Sequence, residues 1–88
     1  MEIWKIEKVT IHMFDKYEKG GTYEFMLIET ERVSNITGEV KTLFRMSEGR
    51  PFPIVGDFEI EGGYETLRQY FIDHGYHGSG CYPTEIID

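Results

Sequence analysis

Residues 62–75, Gly-Gly-Tyr-Glu-Thr-Leu-Arg-Gln-Tyr-Phe-Ile-Asp-His-Gly, constrain the fold more than any other stretch, because here the apolar period changes cleanly from two to 3.6. Tyr64, Leu67, Tyr70, Phe71 and His74 fall on one helical stripe, while Glu65, Arg68, Gln69 and Asp73 lie away from it. The spacing predicts a helix over about 64–74. Gly75 follows the last stripe residue as the expected left-handed terminator, and Gly62-Gly63 turns the chain into the first turn. No Ser, Thr, Asp or Asn caps the start, and Glu65 near the positive end of the helix dipole compensates in part. A helix this short is marginal in water by itself, so a sheet must cover its stripe.

The remaining segments read as strands and turns. Residues 2–14 form a first strand whose alternation slips near Glu7-Lys8: Trp4 and Ile6 fall in one phase, and Val9, Ile11 and Met13 in the other. A bulge there would restore a single apolar face. Asp15 to Gly21 is turn chemistry, and Thr22 to Val33 is a second strand with apolar residues on both faces, as a central strand requires. A turn at Ser34–Gly38 and a third strand from Val40 to Ser47 complete a meander. Residues 48–56 hold two prolines and two glycines and form a connection packed through Phe52 and Ile54. Asp57–Glu61 reads as a short fourth strand, Tyr76–Gly80 as a glycine-rich loop, and Cys81–Ile87 as a last strand that Pro83 confines to an edge.

One α+β domain over residues 1–88 follows, with an antiparallel sheet of four to five strands, one helix on a face, and the order β-β-β-β-α-β. The expected core is Trp4, Ile6, Val9, Ile11, Phe25, Leu27, Phe44, Phe58, Ile60, Leu67, Tyr70 and Phe71. Six Phe, six Tyr and one Trp among 88 residues exceed what so small a core can hold. The surplus argues for association with another protein, or for a homodimer through a sheet face bearing Met26, Ile28 and Leu43.

Charge supplies the strongest compositional signal. The chain carries −7, and from Asp57 onward seven acids face the single base Arg68, so this part alone holds −6. Such a surface repels nucleic acid and anionic membranes and is drawn to basic proteins. Cys81 is the single cysteine, and neither an N-terminal apolar segment nor an apolar run of about twenty residues is present, which predicts a cytoplasmic chain without an internal disulfide. Asn35-Ile36-Thr37 matches a glycosylation acceptor by chance in a turn.

The leading candidate site is the acid row Asp57, Glu59 and Glu61, joined by Glu65 and Asp73 of the helix. Along a strand such acids recur on one side at about 7 Å, and like charges so placed cost stability unless a partner uses them. The function expected is a non-enzymatic protein-binding module, an acidic inhibitor or modulator that occupies a basic or nucleic-acid-facing surface of another protein. In size and charge alone the chain resembles the small acidic proteins with which viruses and mobile elements block host machinery. A first alternative is a small-ligand or nucleotide-binding protein that uses the Gly75–Gly80 loop with Tyr76, His77, Ser79 and Tyr82, although the helix end facing that loop is the negative one. A second is a zinc site of His74, His77 and Cys81, whose spacing matches no usual paired-ligand pattern. The same residues give no assembled nucleophile, base and orienting group, so neither an enzyme nor a cofactor is expected.

Overall fold

Two long runs of β-branched and aromatic residues build the frame. The computed structural model describes residues 1–47 and 56–85. Strands β1 (Trp4–Glu18) and β2 (Gly21–Ser34) pair antiparallel along their whole length around a two-residue turn at Lys19-Gly20, where Gly20 takes a φ of 101°. At about 3.3 Å per residue such strands run about 50 Å, which is the 50 Å length of the molecule. The turn expected over residues 15–21 is therefore much shorter, since Asp15–Glu18 continue the ladder. Strand β3 (Val40–Met46) adds to the outer side of β2, and β4 (His77–Glu85) to the outer side of β1, giving the order β3-β2-β1-β4. Helix α1 (Gly63–Asp73) lies on one face, so the fold is α+β as expected.

The slip at Glu7-Lys8 is a bulge: the β1–β2 register shifts between Ile6 and Lys8. It brings Trp4, Ile6, Val9, Ile11 and Met13 onto one face, as the alternation requires. That face is not the one under the helix. Opposite Phe25 and Leu27 stand Phe14 and His12, and the buried core is Phe14, Phe25, Leu27, Phe44, Met46, Leu67, Phe71 and Tyr76. Phe25, Leu27, Phe44, Leu67 and Phe71 are where they were expected, and Phe58, Ile60 and Tyr70 pack against them half-buried. Trp4, Ile6, Val9 and Ile11, expected in the core, are instead half-buried on the opposite face with Met13, Ile28 and Leu43. Among the described residues no helix or strand covers that second face.

Two further expectations change. Asp57–Glu61 is not a strand; a single bridge pairs Phe58 with Phe44 through two hydrogen bonds of 2.8 and 2.9 Å. The side chains nevertheless alternate, Phe58 and Ile60 inward and Asp57, Glu59 and Glu61 outward. The glycine-rich segment is also no loop: residues 77–80 begin β4, with Ser79 as an extra residue between Gly78 opposite Phe14 and Gly80 opposite Met13. A side chain at Gly80 would press on the ring of Tyr82 two residues along the same strand, and one at Gly78 would touch Phe14 of β1. Pro83 does sit on an edge strand. The connection 48–55 with Phe52 and Ile54, and residues 86–87 of the last strand, lie outside the described residues.

Helix α1 ends in two reciprocal bonds, Gly75 N to the Ile72 carbonyl at 3.0 Å and Tyr76 N to the Phe71 carbonyl at 3.0 Å. This arrangement needs a left-handed residue at Gly75, whose φ is 88°. The turn drops Tyr76 beside Phe71, their rings 6.4 Å apart, and delivers the chain to β4. Phe71 itself stands edge-on to Phe14 at 4.9 Å and to Phe25 at 5.0 Å. Its neighbour Ile72 is 38% exposed. Phe71→Ala should therefore lower the unfolding free energy by about 3–5 kcal/mol, whereas Ile72→Ala should move it by no more than about 1 kcal/mol. Urea unfolding of the two variants measures the contrast; equal losses would mean that the helix does not dock through Phe71.

Candidate functional site

The outward stripe of α1 carries Glu65, Thr66, Gln69, Tyr70 and Asp73, and these five residues line one shallow groove. Glu65 and Asp73, singled out for charge alone, thus share a concavity with a half-buried aromatic ring. Glu65 is in the first turn, where the positive end of the helix dipole stabilises it. Asp73 is in the last turn, where the dipole opposes a negative charge; Gln69 Nε2 donates a 2.8 Å hydrogen bond to its Oδ1. Glu59 and Glu61 are exposed on the segment leading into the helix. The base of the helix, Arg68, is exposed but does not line the groove.

Asp57 stands apart from the other four acids. Its Oδ1 accepts from Arg45 Nε at 2.9 Å and its Oδ2 from Arg32 Nη2 at 3.1 Å, so it bridges β3 and β2 on the side away from the helix. The hydrogen bond from Arg45 holds the carboxyl below its ordinary value of 3.8; the charges of both arginines add to this, and partial burial opposes it. Arg32 Nε also donates to Thr30 Oγ1 at 3.2 Å. Asp57 is thus a fastener for the segment entering the helix.

The residues of the two alternative sites do not converge. Tyr76 is 4% exposed in the core while Tyr82 is 60% exposed, and His77 pairs with Asp15 and Cys81 with His12 in the β1–β4 ladder. His74, expected to complete the buried stripe, is exposed at the helix end, its Nδ1 bonded to the Tyr70 carbonyl at 2.8 Å and its ring 4.1 Å from that of Tyr70. Among the described residues no group of three or more His, Cys, Asp or Glu side chains could hold a metal. Asn35 has a structural task, its Oδ1 accepting from Ile3 N at 2.8 Å. Among the described residues no helix is long and apolar enough to cross a membrane.

One polar cluster escaped sequence reasoning. His12 is 5% exposed; its Nε2 meets Glu29 Oε1 at 2.8 Å, and Tyr64 lies flat on its ring at 3.8 Å with an interplanar angle of 15°. Burial pushes the Tyr64 phenol above its ordinary value of 10.0. His12 Nδ1 is the buried side-chain atom without a hydrogen-bond partner among the described residues. An orphan of this kind costs about 1–3 kcal/mol. The signal in the sequence was His12 standing in phase with Phe14 in a strand, which reads equally well as a polar outer position.

No family model, curated protein or solved structure matches the chain.

The Asp57 bridge gives a pH-dependent test. Because its folded-state pKa is depressed, its contribution to stability is present above 3.8 and is lost as pH falls through the lower folded value. Asp57→Asn should cost up to about 1 kcal/mol at about pH 7, since the pair is partly exposed, and the deficit should vanish at about pH 2. Urea unfolding of both proteins at the two pH values checks this; an unchanged deficit in acid would assign the loss to packing.

Proposed function

We propose that the protein is a non-enzymatic binding module that docks the outer face of α1 on a basic surface of another protein, as an acidic inhibitor or modulator. The observation that carries this reading is Asp73. A side chain that opposes the helix dipole stands at one end of a groove whose other end holds Glu65, with Tyr70 between them. Acids at both ends match a row of Lys or Arg, and a half-buried aromatic supplies the apolar contact that charge alone does not. Glu59 and Glu61 extend the negative field that speeds encounter with a basic partner.

The test uses a lysine-rich peptide as the probe and calorimetry at low and moderate salt. Glu61→Lys, Glu65→Lys and Asp73→Lys together should weaken binding at least about tenfold, whereas the same charge change at Glu7, Glu24 and Glu39, exposed elsewhere, should weaken it far less. Equal losses from the two triple variants would reduce the interaction to net charge and sink the reading. Asp73→Lys alone should raise stability by about 0.3–1 kcal/mol while lowering affinity.

A further inference from the structure

We propose that Cys81 is a modification site, a thiol that exchanges with low-molecular-weight disulfides using His12 as its base and Glu29 as the positioning residue. This inference is independent of the acidic groove. Glu29, His12 and Cys81 stand on three neighbouring strands, β2, β1 and β4, on the face that carries α1. His12 and Cys81 are direct cross-strand partners, and side chains so placed have Cβ atoms about 4.5–5.5 Å apart. The two nitrogens of an imidazole point in nearly opposite directions. With Nε2 turned to Glu29 on β2 at 2.8 Å, the ring geometry points Nδ1 to the opposite side, that of β4, where Cys81 is the cross-strand partner of His12. Glu29 accepting from Nε2–H leaves the Nδ1 lone pair as a base, and that nitrogen is buried without a hydrogen-bond partner. Tyr64, stacked on the ring, keeps it from turning away. Cys81 is exposed and reduced, so a small disulfide can reach it.

Sγ and Nδ1 are not hydrogen-bonded in the resting structure; the proposal requires the Cys81 side chain to turn toward the ring when the disulfide arrives, as catalytic pairs often tighten only when the reactant is bound. In the reaction the Cys81 S–H bond breaks and its proton passes to Nδ1. Sγ attacks one sulfur of the disulfide, the new S–S bond forms as the old one breaks, and the leaving thiolate takes the proton back from the imidazolium. The products are one mixed disulfide and one free thiol. The small-molecule disulfide is the oxidant, and Glu29 offsets the charge on the imidazolium while it lasts.

The experiment follows the reaction of the intact chain with 5,5′-dithiobis(2-nitrobenzoate), which reports on a single thiol because Cys81 is the sole cysteine. A free cysteine is only a few per cent thiolate at about pH 7, so a neighbouring base can raise the rate by about tenfold before reduced nucleophilicity cancels the gain. Folded protein should react about tenfold faster than the urea-unfolded chain at about pH 7. Glu29→Gln and His12→Phe, the second keeping an aromatic ring under Tyr64, should each remove most of that gain. At about pH 10, where a thiol ionises unaided, both should match the unsubstituted protein; a substitution that merely altered access would change the rate at both pH values. A folded protein that reacts no faster than the unfolded chain overturns the proposal. So does a fast reaction that neither substitution slows.

Discussion

The docking of Phe71 onto the cross-strand pair Phe14–Phe25 holds the two layers together. Those strand rings stack at 5.4 Å, and Phe71 closes on both from above. Burying one such side chain contributes about 1.5–3 kcal/mol, and edge-to-face contacts add about 0.5–1.5 kcal/mol each. For a helix of 11 residues, too short to persist alone, this contact decides where it lies. Leu67, one turn earlier, and Tyr76, just beyond the Gly75 turn, complete the same cluster. The direction of the helix, and hence the placing of Glu65 and Asp73 on its outer side, follows from which residues must meet the two strand rings.

Much of this was legible because period is a local property. The helical stripe, its glycine terminator, the bulge at Glu7 and the edge position of the proline strand each needed only a few neighbouring residues to be read. The covered face was different. Trp4, Ile6, Val9, Ile11 and Met13 form the more apolar phase of β1, yet the helix covers the phase of Thr10, His12 and Phe14. Cross-strand neighbours decide this: Phe14 and His12 stand opposite Phe25 and Leu27, and the aromatic rings of β2 and β3 gather on that side. Pairing over many residues in sequence is not visible in the composition of one strand.

The site residues divide in the same way. Glu65 and Asp73 share a groove because helical spacing puts positions eight apart on one face, which sequence alone implies. Asp57 was read with its neighbours as a free charge, but its partners Arg32 and Arg45 come from two other strands. His12 was missed because its partners Glu29, Tyr64 and Cys81 come from three elements, none adjacent to it in sequence. The glycines at 78 and 80 suggested a loop, since glycine is weak in strands; the ladder to β1 outweighs that preference.

Three local rules are broken in a chain that otherwise obeys them, and each break has a different physical character. Asp73 opposes a dipole, His12 keeps an orphan nitrogen in a buried ring, and the second sheet face leaves Val9, Ile11, Ile28 and Leu43 half-exposed. Departures of this kind cost stability and gather where a protein is shaped for something besides folding. The first two lie on the same side of the sheet as the helix. The stack of Tyr64 on His12 joins the first turn of α1 to the centre of β1. The groove thus rides on a helix seated on the sheet by Tyr64 in its first turn and by Phe71 two turns on.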